Sequence, residues 1–221
     1  MVRSKPRNPP LRVLVTAGPT REHVDPVRFL SNESSGRMGF ALAGAAARAG
    51  HAVTLVAGPV ALPTPAGVER IDVESAREML AACRAAYRIA DVLIMAAAVA
   101  DWRPARVRGG KWRAKDGGAR RARLELVRNP DILATLAARK GRRLVCGFAL
   151  ETGAGEARAR AKLARKGLDC IVLNDASVLN AASTRVVLLE RGGGRTALAG
   201  SKARVARSLV ARISALRASR P

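Results

Sequence analysis

The feature that most constrains this chain is a series of short apolar runs, each ending in small residues or glycine and separated by stretches with helical periodicity. Leu11 to Thr16 opens the series and runs into Ala17-Gly18-Pro19, the pattern of a buried parallel strand followed by a tight turn. Further strands are expected at Ala52 to Val56, Val68 to Val73, Asp91 to Ala96, Arg143 to Phe148 and Asp169 to Leu173. Between them, Arg37 to Ala49 carries Met38, Leu42 and Ala45 at helical spacing, with Gly50 as its stop. Ser75 and Glu78 form a capping box for a helix that buries Met79, Leu80, Cys83 and Tyr87. Asn129, Pro130 and Asp131 read as N-cap, first-turn proline and dipole-complementing acid of another helix, and Gly167 stops a helix over Gly155 to Lys166. Arg185 to Glu190 and Arg195 to Ala199 predict a hairpin, after which Ser201 caps a last helix with a Val205, Leu209, Ile213 stripe.

Strands alternating with helices predict an α/β, Rossmann-like fold: a mostly parallel sheet with helices on both faces, a C-terminal hairpin and right-handed crossovers. The 221 residues suffice for one large domain, expected over 11–221 behind a disordered arm at 1–10. No apolar run reaches the eighteen or so residues of a membrane span, and no secretory signal precedes the first strand, so a soluble cytoplasmic protein is expected. Cys83, Cys146 and Cys170 sit in apolar segments without metal-ligand spacing and read as buried free thiols. His23 and His51 lie far apart without ligand partners, which argues against a histidine base or a zinc site.

A net charge of +23 favours polyanion binding in principle. Here the arginines are spread over nearly every segment, aromatics are only 3%, and no groove-reading motif accompanies the charge, so no specific nucleic-acid function is expected.

In such sheets ligands bind beyond the carboxyl ends of the strands. Those positions read Gly18-Pro19-Thr20, Ala57-Gly58-Pro59, Ala97 to Asp101, Phe148 to Glu151 and Asn174-Asp175. Ser31 to Gly39 opens a helix with hydroxyls, small residues and backbone amides, either a seat for phosphate or ordinary capping by Ser34 or Ser35. Neither GxGxxG nor a Walker loop is present. Pro104 to Arg123, rich in Arg, Lys and Gly and without periodicity, reads as a long basic flap over a site or as a solvated loop.

Taken in order, TAGPTREHVDPVRFLSNESSGRMGFALA, VTLVAGPVALPTP, AAAVADWRP, the lysine of GGK, RNPDIL, GFALET and LND make the chain similar, over almost its whole length, to bacterial phosphopantothenoylcysteine synthetases. The resemblance implies a ligase of coenzyme A biosynthesis that joins 4′-phosphopantothenate to cysteine through an acyl-cytidylate, releasing CMP and pyrophosphate. CTP rather than the ATP of eukaryotic relatives is implied as substrate, with Mg2+ held mainly through nucleotide phosphates. In many bacteria the synthetase is the carboxyl-terminal half of a protein whose other half is a flavin-dependent decarboxylase. That activity is therefore expected on a separate or a fused chain.

By the same resemblance Asn32 contacts the reacting carboxylate, and Arg28 reaches substrate phosphate from a neighbouring subunit, implying a homodimer with shared sites. Ala97, Ala98 and Asp101 match residues that hold the pantothenate arm. Lys111 matches the flap lysine over the triphosphate, with Lys115 as the alternative because Trp112, Arg113 and Ala114 separate the two. Gly18, Ser34, Gly36 and Gly39 match residues around phosphates, and Phe148 and Asn174 residues near base or ribose. Pro130, Asp131 and Ile132 match a further lining segment. Lys162 and Lys166, one helical turn apart, match nucleotide-binding lysines, although such a pair read by itself is a solvated stripe.

The rival on fold alone is a nicotinamide-dependent oxidoreductase. Its fingerprint is absent, and Tyr87 lies on an apolar helix face with no lysine four residues on.

Overall fold

Val13, Leu14 and Val15 have branched side chains that pack on both faces of a pleated strand, and in the structure they do so. Val13 and Val15 enter one apolar cluster while Leu14 enters the other, so both faces of the central strand are covered. The structure, a computed structural model, describes residues 9–113, 121–151, 155–175 and 183–220. The expected arm at 1–10 thus falls mostly outside the described residues.

In chain order the elements are β1 (Arg12–Ala17), β2 (Arg21–Asp25), β3 (Arg28–Ser31), α1 (Arg37–Arg48), β4 (Ala52–Ala57), β5 (Val68–Asp72) and α2 (Ala76–Tyr87). There follow β6 (Val92–Met95), β7 (Trp102–Pro104), β8 (Leu126–Arg128), α3 (Ile132–Ala137), β9 (Leu144–Glu151) and α4 (Gly155–Arg165). The chain ends with β10 (Cys170–Asp175), β11 (Ser183–Glu190), β12 (Arg195–Ser201) and α5 (Lys202–Ala218).

The main sheet runs β12-β11-β10-β9-β6-β1-β4-β5. From β5 to β10 every neighbouring pair is parallel, and the closing β11 and β12 are antiparallel. The chain builds outward from β1 to β4 and β5, then crosses back to continue from β6, so the order reverses between β1 and β6. Diverging loops at that switch point leave a crevice. Helices α1 and α5 cover one face through Phe40, Leu42, Leu209 and Ile213, and α2, α3 and α4 cover the other through Met79, Ile132, Leu136 and Leu163.

The mostly parallel sheet with helices on both faces is the expected architecture. Ser75 accepts the Glu78 N–H, Ser201 accepts that of Arg204, and Gly167 takes positive φ after α4, as their positions predicted. The three cysteines are buried free thiols.

Three readings need correction. The cap of α3 is Asp131, which accepts the Ala134 N–H at 2.9 Å, while Asn129 donates its carboxamide to the Ala100 carbonyl. Neither Ser34 nor Ser35 caps α1: the N-cap is Gly36 in the left-handed region, with no side-chain bond. Two small ladders also escaped detection, β2 with β3 and β7 with β8. The second closes the base of the basic flap, extended by the Ala105 N–H bonding the Glu125 carbonyl, and so shortens the irregular stretch expected at 104–123.

Candidate active site at the carboxyl ends of β6 and β9

β6 leaves the sheet at Met95 and continues as a loop fixed by two buried threonines. Thr16 Oγ1 accepts the N–H of Ala97 at 3.1 Å, and Thr20 Oγ1 accepts that of Ala100 at 3.0 Å. Ala98 donates its N–H to the Gly18 carbonyl, 2.9 Å. The donors of Ala97 and Ala98 are therefore engaged within the protein, and these residues can meet a ligand only through their methyl groups and carbonyls. The sequence reading missed Thr16 and Thr20, because a threonine inside or beside an apolar strand gives no sign of what its hydroxyl holds.

Beyond this loop lies a cavity of about 410 Å³. Ala97 and Asp101 form one side of it, Pro130, Asp131 and Ile132 another, and Phe148, Lys162 and Lys166 a third. Eight of the residues singled out in the sequence thus share one hollow. They come from four elements that converge because the carboxyl ends of parallel strands lie on one rim.

The two lysines differ. Lys166 pairs with the Asp131 carboxylate at 2.8 Å. Burial would raise the Asp131 pKa, but Lys166 and the Ala134 N–H outweigh it and hold the group ionised. Lys162 instead donates to the Phe148 carbonyl at 2.8 Å. Burial, then the charge of Lys166, pushes its pKa down. Burial and a like-charged neighbour disfavour the ammonium there, and an anion bound beside it would favour it.

Asn32 stands between this cavity and a second locus. Its carboxamide donates to the carbonyl of Val99, a cavity-lining residue, at 3.0 Å. Two residues later begins the approach to α1, where Gly18 and Gly36 both have positive φ. A Cβ on Gly36 would lie 3.4 Å from the Gly18 backbone nitrogen. On Gly39 a Cβ would lie 2.4 Å from that of Ala17, so helix and strand pack too closely for any side chain. With no side chain capping the helix, its first N–H groups are available to an anion. Ser34 Oγ accepts the Gly36 N–H, at 3.4 Å.

Spatially, Gly18 followed by Gly36-Arg37-Met38-Gly39 reproduces the spacing logic of a dinucleotide loop. One glycine serves the turn, one the close backbone approach and one the helix packing. The linear fingerprint is missing because the β2–β3 hairpin interrupts it.

Ala98, between two lining residues, is not itself part of the lining, and three further expected residues lie elsewhere. Asn174 does not line the cavity; its carboxamide oxygen accepts the Thr184 hydroxyl across β10 and β11. Arg28 and Lys111 also lie outside the lining: Arg28 is at the tip of the β2–β3 hairpin, and Trp112, the neighbour of Lys111, is bonded there. There Asp25, fully buried, pairs with Arg28 at 3.4 Å and accepts the Trp112 N–H at 2.9 Å. Lys115 is outside the described residues. Among the described residues no group of three or more His, Cys, Asp or Glu side chains converges as a metal cage, and no helix is long and apolar enough to cross a membrane.

Residues 10–216 match the family described as DNA/pantothenate metabolism flavoprotein C-terminal domain. The chain is 52% identical over 169 residues to the coenzyme A biosynthesis bifunctional protein CoaBC of Vibrio cholerae, covering 76% of this chain and 42% of that protein. It is 51% identical over 168 residues to the Escherichia coli CoaBC, covering 76% and 41%. The chain thus spans less than half the length of these relatives. A crystal structure of the C-terminal domain of a CoaBC protein superposes with a TM-score of 0.81 at 40% identity, covering 93% of this chain and 95% of that one. Matched nearly end to end both to the family profile and to a solved domain of this kind, the chain belongs to the DNA/pantothenate metabolism flavoprotein C-terminal domain family.

Proposed function

We propose that the domain is a phosphopantothenate–cysteine ligase that activates the pantothenate carboxylate with CTP and passes the acyl group to the amine of cysteine. The observation that carries this reading is the cavity bounded by Lys162, Lys166, Asp101 and Phe148, with Asn32 bonded to its wall.

A carboxylate is a poor acyl donor until one oxygen becomes part of a phosphate leaving group. Attack on the α-phosphate of a nucleoside triphosphate achieves this and gives an acyl-nucleotide and pyrophosphate. The cysteine amine then displaces the nucleoside monophosphate. The first step brings two anions together, so fixed positive charge and oriented amides must offset their repulsion. Lys162 and Lys166 supply charge along the cavity, and the uncapped start of α1 supplies amides. Besides its 3.0 Å bond to Val99, the Asn32 carboxamide nitrogen has a long 3.5 Å contact with the Ala98 carbonyl, a donor that a reacting carboxylate would capture without a change of protonation. Mg2+ would neutralise the phosphates, bound chiefly through the nucleotide.

Arg28 on the β2–β3 hairpin and Lys111 on the segment bonded to it both stand off the cavity wall. This supports a homodimer in which one subunit's hairpin completes its neighbour's site. The flavin-dependent decarboxylase that supplies the neighbouring chemistry would be a fused or separate partner.

The decisive assay supplies 4′-phosphopantothenate, cysteine, Mg2+ and either CTP or ATP, and measures pyrophosphate and the cysteine adduct. Adduct with CTP in excess of ATP is expected, and no adduct with either nucleotide rejects the reading. Asn32→Asp should lower turnover by about tenfold or more, because a carboxylate beside the Val99 carbonyl reverses a donor to an acceptor and adds charge next to the substrate carboxylate. Unchanged turnover in a folded variant would remove Asn32 from the mechanism.

A further inference from the structure

Asp25 is a charged side chain with no solvent exposure, at the turn of a small exposed hairpin. A buried carboxylate is costly unless each oxygen is satisfied. Oδ1 accepts the N–H of Val27 two residues on, an Asx-turn that shapes the hairpin. An asparagine would serve that turn equally well. Oδ2 does something different. It accepts the Trp112 N–H from a segment far along the chain and pairs with the Arg28 guanidinium. A second tie lies beside it, where the Arg108 N–H bonds the Val24 carbonyl at 2.9 Å. The Arg108 guanidinium stacks 4.2 Å above the Trp112 ring, which pins the segment between the two bonds. Lys111, itself exposed, is thus carried on backbone held at both Arg108 and Trp112.

The base of the hairpin is fixed to the body of the protein. Glu22, also buried, accepts the Ala76 N–H at the start of α2, and the Arg21 N–H bonds the Glu74 carbonyl. His23 bonds the Glu74 carboxylate at 2.9 Å. The hairpin is therefore a rigid arm, and its tip is where the flap is attached.

We propose that Asp25 is a positioning residue that docks the segment 108–112 onto the β2–β3 hairpin, so that Lys111 and Arg28 are presented to substrate as one cationic unit. This rests on the ligase reading, which gives Lys111 and Arg28 their roles. The docking itself stands on the contacts alone.

Asp25→Asn tests it. The amide oxygen can keep the turn bond to Val27, and the amide nitrogen then faces the Trp112 N–H, donor against donor. Amide exchange at Arg108 and Trp112 should accelerate by about tenfold or more, with the amides of β1 and β6 unchanged. The rate of adduct formation should fall by about tenfold while nucleotide affinity changes by less than about threefold. In a Lys111→Ala background the same substitution should cost less than about threefold, since only Arg28 is then left for Asp25 to position.

A full rate loss in that background overturns the proposal, as does unchanged exchange at Trp112. Trp112→Pro, which deletes the donor and leaves Asp25 in place, should reproduce the rate loss even if Asp25→Asn perturbs the hairpin. If Lys111→Ala alone leaves the rate unchanged, it is the assignment of Lys111 that fails, and exchange at Arg108 and Trp112 still decides whether Asp25 docks the segment.

Discussion

The cavity wall and the hairpin tip hold their cations by opposite means. Lys162 projects from a helix that packs on β9 and β10 and Lys166 directly follows it, so their positions are set by the hydrophobic core. Lys111 and Arg28 stand on a two-stranded ladder and an irregular segment, joined by one buried carboxylate. A site built on the core inherits its rigidity, whereas one built on a surface arm depends on a few polar contacts that can be exchanged without unfolding the protein. On the proposed ligase reading the wall would serve binding, and the arm a contribution made only at the moment of reaction.

This contrast is broken most severely at the foundation of the wall. Asp169, just before β10, bonds Lys140 and Arg220 and accepts the Val145 N–H at the start of β9. Asp169→Ala leaves two cations unpaired and should cost about 3 kcal/mol by urea unfolding, somewhat below a fully buried pair because both cations are partly exposed. Burial would raise the Asp169 pKa, but Arg220, Lys140 and the Val145 N–H outweigh it and lower it. A depressed carboxylate adds stability above its unfolded pKa of about 4 and loses it as pH falls through the lower folded value. Asp169→Asn should accordingly flatten acid destabilisation below about pH 4.

Next in size is the close approach of α1 to β1. Gly39→Val places a branched side chain against Ala17 and should cost about 2–3 kcal/mol, measured the same way. A loss below about 0.5 kcal/mol would mean that the helix start moves freely, and the fixed-wall account would fail.

Within the cavity, Lys162→Met should weaken nucleotide binding by about tenfold or more while leaving stability equal or higher, because it removes a desolvated charge. Since its pKa is lowered, wild-type affinity should fall with rising pH before an ordinary lysine titrates, near about 10.4. Lys162→Arg should abolish that fall, as calorimetric titration across pH would show.

Smallest of all, Lys111→Ala should change unfolding stability by less than about 0.5 kcal/mol, since the side chain is exposed. A larger loss would erase the distinction between wall and arm.

Much of this molecule was legible because its signals are local. Strands β1, β4, β6, β9 and β10 were marked by short apolar runs, and Ser75, Ser201 and Gly167 marked helix ends by chemistry that needs no distant partner. The failures are equally physical. Asn129 and Asp131 are both good caps, and the choice went to Asp131 because Asn129 is drawn to Ala100. Of the two readings open for Ser31 to Gly39, a phosphate seat or capping by Ser34 or Ser35, capping fails because a left-handed Gly36 begins the helix with no side-chain cap. Strands β2 and β3 were hidden because Arg21 to Ser31 lacks a long apolar alternation, and what holds the arm is a set of long-range polar bonds.

The sequence by itself determined the alternating layers and which loops lie at the carboxyl ends of the strands, since apolar periodicity is local, whereas Asp131, Lys162 and Lys166 were implied only by the resemblance. Only the tertiary structure decided that Gly18 and Gly36 form one loop across an intervening hairpin, and that Asn174 turns to Thr184 instead of the cavity. It also decided that Asp25 ties Trp112 to Arg28. Each of these depends on a hydrogen bond or close approach between residues distant in the chain, and no local pattern encodes such a pairing.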